Sequence, residues 1–170
     1  MKFFKTIVAA ASLAALCVGA MPAKAGSFQD SKRLIELVEG TGTKVSLNTN
    51  DFDEKCENKH GYYSFAKNEI DLMVLCRTQT DIEDPNEVWE TLAHESMHVA
   101  QACVGSVPVM PAKYHPRLLR ELRTLAPHYA EQLQGYRGDH QLLELEAFWA
   151  ELQTPEMVLD LFELACYEDE

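Results

Sequence analysis

The stretch Thr91–Gln101, reading TLAHESMHVAQ, constrains this chain more than any other. It holds His94, Glu95 and His98 in the order H-E-x-x-H. On an α-helix, positions i and i+4 lie on one face about a turn apart, so both imidazoles can reach one metal ion. Glu95 projects beside the first histidine, where it can take a proton from a water that the metal activates. The pattern has this meaning only on a helix, and its flanks predict one. Asp84-Pro85-Asn86-Glu87 supplies an N-cap Asp, Pro at the first helical position, and Glu where a capping box needs it. Val88, Leu92, Met97 and Ala100 recur at near-helical spacing, and Gly105 can end the run.

The chain begins with a different kind of segment. Lys2 and Lys5 precede an apolar run from Ile7 to Met21, and Ala23-Lys24-Ala25 has the A-x-A form of a signal-peptidase site. We therefore expect residues 1–25 to be a signal peptide and 26–170 a single mature domain, secreted or periplasmic. The apolar run is too short for a membrane span, so no membrane association is expected after cleavage. Removing 25 of the 170 residues leaves 145, enough for one compact core. Losing Lys2, Lys5 and Lys24 takes the formal charge from −12 to −15. Such a surface repels nucleic acid and anionic membranes. Cys17 leaves with the leader, and Cys56, Cys76, Cys103 and Cys166 remain. An even number in an exported domain reads as two disulfides with three possible connectivities. Cys56–Cys76, closing a strand pair, and Cys103–Cys166, tying the motif helix to the C-terminal helix, are the expected pairs. A thiolate metal site is disfavoured because no C-x-x-C spacing occurs.

Read in order, Ser27–Gly40 predicts an amphipathic helix and Thr43–Asn48 a strand. Gly61–Phe65 and Glu69–Cys76 flank Ala66-Lys67-Asn68 as the arms of a hairpin, the second alternating Ile70, Leu72 and Val74. A strand just before the motif helix could offer its free edge to an extended peptide. After Gly105, prolines 108, 111 and 116 exclude regular structure. Helices are then expected over Arg117–Leu125, His128–Gln134 and His140–Gln153, the last capped by Asp139, with a final helix starting at Thr154-Pro155. The fold class is α+β, a small antiparallel sheet followed by a mostly helical remainder.

Two histidines hold zinc poorly, and a catalytic site normally adds a third protein ligand while leaving one position for water. Gln101 and Val104 stand where a metzincin has Gly and His, which excludes that branch. A glutamate from Glu144-Leu145-Glu146-Ala147 is the alternative. Glu144, Ala147 and Glu151 share one helical face, and Ala147 permits close approach to the motif helix. Glu146 lies nearer Leu142, Trp149 and Ala150, where a carboxylate needs a partner if that side is buried. Both remain candidates.

His94-Glu95-x-x-His98 followed by an E-x-x-A helix resembles the gluzincin metallopeptidases, particularly minimal single-domain forms. The match covers about Val88–Gln101 and Glu144–Ala150. It implies a zincin-like fold, a Zn2+ ion and a peptide or protein substrate. It also implies ligands His94, His98 and Glu144, with Glu95 as general base. Those families often place Asp or Asn after the Ala to brace a ligand histidine. Phe148 stands there in this chain, so that support must come from elsewhere and Glu146 stays open. Tyr114, His115, His128, Tyr129, Tyr136, Arg137 and His140 are candidates to stabilise a tetrahedral oxyanion. The competing expectation is a non-catalytic domain, either stabilised by zinc or binding peptide without cleaving it.

Overall fold

The computed structural model describes residues 26–48, 54–65 and 70–167. The expected signal peptide and the turn at Ala66-Lys67-Asn68 lie outside these residues. Six α-helices and one three-stranded sheet are present among the described residues: α1 Phe28–Gly40, β1 Lys44–Asn48, β2 Gly61–Ser64, β3 Leu72–Cys76, α2 Pro85–Cys103, α3 His115–Leu125, α4 Pro127–Gln132, α5 Asp139–Glu151 and α6 Pro155–Tyr167. This is α+β with helices predominating. No described helix is long and apolar enough to cross a membrane.

The sheet has the order β1-β3-β2. β2 pairs antiparallel with β3, but β1 runs parallel to β3 with Lys44 opposite Leu72. The sheet is therefore mixed, which corrects the antiparallel expectation. β3, the strand before the motif helix, is central and paired on both sides, so it has no free edge for a peptide. The period-two pattern of the third strand misled in a related way. Ile70 lies outside the strand and is exposed, while Met73, Val74, Leu75 and Cys76 are all buried. Met73 and Leu75 enter the main core, and Val74 and Cys76 pack with Cys56 on the other face. A central strand covered on both sides carries a continuous apolar run rather than an alternation.

The motif helix α2 is the hub, packing against α1, α5, α6, β2 and β3. Asp84 caps it by accepting from the Asn86 N–H at 2.8 Å, with Pro85 in the first turn. The expected capping box is not completed: Glu87 instead accepts from the Asp81 N–H at 2.8 Å and fixes the approach loop. At the other end Gly105 has φ +98°, and the amides of Ser106 and Gly105 bond to the carbonyls of Gln101 and Ala102. This is a Schellman stop, for which only glycine fits without strain. Gly138 (φ 58°), not Asp139, is the cap residue of α5, and Asp139 lies inside the first turn. Pro127 opens α4 rather than preceding it, since its fixed φ suits a first helical position.

The main core joins Leu34 and Val38 of α1, Leu92, Met97 and Ala100 of α2, Ala147 and Ala150 of α5, and Val158, Leu159 and Phe162 of α6. Both disulfides are the expected ones, Cys56–Cys76 and Cys103–Cys166, the second clamping the end of α2 to α6. Ala147 is fully buried in this core. A leucine there would have no space and would push α5 from α2. Ala147→Leu is expected to cost about 1–3 kcal/mol of unfolding free energy in chemical denaturation. Full stability in that variant would mean that α5 has slack against α2.

Candidate metal centre

Close packing of α2 on α5 brings His94, His98 and Glu144 together. One ligand atom from each lies within 4.8 Å of the others. His94 Nε2 stands 3.5 Å from one Glu144 oxygen, and His98 Nε2 stands 3.8 Å from the other. These separations are long for hydrogen bonds. They suit a shared ion: ligand atoms about 2.0–2.1 Å from tetrahedral zinc stand roughly 3.4 Å from one another. The two rings meet edge to face with centroids 5.1 Å apart. Two imidazoles and a carboxylate at this spacing could hold a metal ion.

Glu146 is elsewhere. It is wholly buried, and four nitrogens converge on its two oxygens: the backbone N–H groups of Val109 and Met110 at 2.9 and 2.8 Å, Gln101 Nε2 at 3.2 Å and His115 Nε2 at 3.1 Å. It anchors the proline-rich loop after α2, and its oxygens are occupied there. Of the two glutamates left open by the sequence, Glu144 faces the histidines.

The bracing that Phe148 cannot supply comes from two other residues. Glu151, one helical turn past Ala147, bonds to His94 Nδ1 at 2.6 Å. Gln101, one turn past His98, accepts from His98 Nδ1 at 2.9 Å. A histidine ligand commonly gives its second nitrogen to such a partner, which fixes the ring. The signal for Glu151 was visible as its shared face with Glu144 and Ala147. Phe148 itself packs edge-on against the His94 ring and stacks with Tyr129.

Glu95 is buried beside β2 and within the field of His94 and Glu144. The Cys76 amide bonds to the His60 carbonyl, so pairing alternates and the Tyr63 amide points off the sheet. It bonds instead to Glu95. The outer edge of β2 at Tyr63 is thus taken by the motif glutamate itself. Gly61 allows this approach: a Cβ there would lie 2.8 Å from Thr91 Cγ2 and 3.0 Å from Glu95 Cγ.

The electrostatics follow from three acids, Glu95, Glu144 and Glu151, crowded around two imidazoles. Burial pushes Glu95 up to about 7, against the pull of His94 and with the help of Glu144 and Glu151. Burial acts against a charged His94, but the facing carboxylate of Glu144 and the hydrogen-bonded Glu151 outweigh it and hold the ring up at about 10. Burial and the neighbouring His94 charge hold His98 below its ordinary value. Burial opposes ionisation of Glu144, yet the facing His94 ring and then His98 hold it low.

Of the candidate oxyanion groups, His115 is committed to Glu146, and Tyr129 sits on Glu151. Arg137 folds back onto the carbonyls of Gln134 and Tyr136. Tyr136 is raised by burial and then by Glu144 and Glu95, which sets its phenol within their field. His140 adds a charge that Glu144 feels. Compared with known proteins, the chain matches no family model, no curated protein and no solved structure.

A ring raised to about 10 from 6.5 stabilises the fold fully below 6.5, and that contribution fades as pH rises through 10. Glu151→Gln is expected to lower the His94 midpoint in an NMR titration of chelator-treated protein. It should also flatten the loss of stability across that window. An unmoved midpoint would assign the whole effect to Glu144.

Proposed function

We propose that this protein is an exported zinc-dependent metallopeptidase of the HExxH…E type, with His94, His98 and Glu144 as the metal ligands. The single observation that carries this reading is the pairing of a three-ligand cluster with a buried acid, Glu95, beside it. A structural zinc site is closed by four protein ligands and has no use for such an acid, whereas a catalytic site keeps one position open.

The ion supplies two things when bound: it lowers the pKa of a water at its open position and polarises the carbonyl to be attacked. The remaining work falls to the chain. Glu95, poised near neutrality, accepts the proton of the attacking water and delivers it to the leaving amine. The Tyr63 amide holds Glu95 in place. Tyr136, with its phenol kept protonated, can donate to the developing oxyanion from the turn before α5. Glu151 and Gln101 keep the two rings aimed.

Metal analysis of the mature protein is expected to find about one zinc per chain, in line with a single three-ligand site. Glu144→Ala should abolish that binding. Glu95→Gln should retain the metal while cutting peptide hydrolysis by at least ~100-fold, the low end for a general base. Protein that holds zinc tightly yet cleaves no member of a broad peptide library would favour the non-catalytic, zinc-stabilised domain instead.

A further inference from the structure

Beyond the ligands themselves, a chain of hydrogen bonds from the core decides which nitrogen of His98 faces the site. Gln101 Nε2 lies 3.0 Å from the Leu143 carbonyl oxygen and 3.2 Å from Glu146 Oε2. A carbonyl oxygen can only accept, so the amide group turned toward it must be the NH2. The Gln101 oxygen is then the atom 2.9 Å from His98 Nδ1, and an amide oxygen also can only accept. His98 Nδ1 must therefore carry the hydrogen, which leaves Nε2 with its lone pair directed at Glu144 and the space between. Gln101 has no freedom to reverse: it is 2% exposed, and a flipped amide would set oxygen against both the carbonyl and the carboxylate.

We propose that Gln101 is a positioning residue that locks His98 in the Nδ1–H tautomer, and that Glu146 orients Gln101 while pinning the loop at Val109 and Met110. Glu146 and the Leu143 carbonyl supply the polarity, Gln101 transmits it, and His98 presents the coordinating nitrogen. The anchoring of the proline-rich loop and the readiness of the metal site thus share one buried carboxylate. The part of this inference that concerns metal rests on the metallopeptidase reading above; the tautomer does not.

The test is a long-range 1H–15N correlation spectrum of the histidine rings in chelator-treated, unsubstituted protein at mildly alkaline pH, followed by Gln101→Met. The expected result is a His98 ring with Nδ1 protonated and Nε2 bare in the parent protein, and a mixture of tautomers in Gln101→Met. Zinc affinity in that variant should fall by about 10- to 100-fold, the usual effect of losing such a support. A His98 ring protonated at Nε2 in the parent protein overturns the proposal even if Gln101→Met does not fold. Unchanged zinc affinity in a folded Gln101→Met also overturns it. Parent protein that binds no zinc while showing the Nδ1–H ring would sink the peptidase reading and leave the tautomer lock standing.

Discussion

The close approach of α5 to α2 is the constraint from which the site follows. Two imidazoles a turn apart on one helix define a line of possible ligands but no centre. The centre exists because a second helix comes near enough for a carboxylate to reach both rings. Alanines make that approach possible: Ala147 and Ala150 are both fully buried in the shared core. The Cys103–Cys166 bond ties the far end of α2 to α6, which follows α5 in the chain. A small domain thus holds a precise three-residue cluster by packing, with a covalent clamp at one end of the helix that carries two of its members.

Burying several carboxylates in so small a core is costly unless each is compensated. Here each finds a different answer. Glu144 faces two histidines, Glu151 bonds to His94 and also takes the phenol of Tyr129, and Glu146 collects four nitrogens. Glu95 is the least compensated, with a backbone amide and the field of His94. That ordering matters for chemistry. Three of the acids are compensated by close partners, while burial leaves the fourth, Glu95, near neutrality.

Much of this was legible in the residues. The motif helix, its Asp84-Pro85 start and its Gly105 stop follow from local chemistry that tertiary packing did not override. Of the three possible disulfide pairings, the favoured one, which closes a strand pair and ties the motif helix to the C-terminal helix, is the one present. The strand arrangement was not readable in full. β1 pairs parallel with β3, and no residue in either strand declares it. Burial of both faces of β3 erased the alternation that would have marked its true limits. Glu87 shows the same thing at a smaller scale, since its reach to Asp81 rather than to the cap is decided by a loop with no periodic signal.

The ambiguity between Glu144 and Glu146 has a more instructive cause. A glutamate in an otherwise apolar helix suggests a buried charge with a purpose, and coordination of a metal is one such purpose. Another is repair of broken backbone. Pro108 and Pro111 bracket Val109 and Met110, so their amides cannot enter a helix or sheet and must find acceptors if the loop is covered. Glu146 supplies both acceptors at 2.9 and 2.8 Å. The clue in the sequence was therefore not in the helix at all but in the proline spacing some forty residues earlier. Two acids two residues apart point to opposite sides of a helix, and one side here faces a loop that needs acceptors while the other faces two histidines that a carboxylate can pair with. Given those two demands, the assignment of Glu146 to the loop and Glu144 to the histidines is the only one that leaves neither surface unsatisfied.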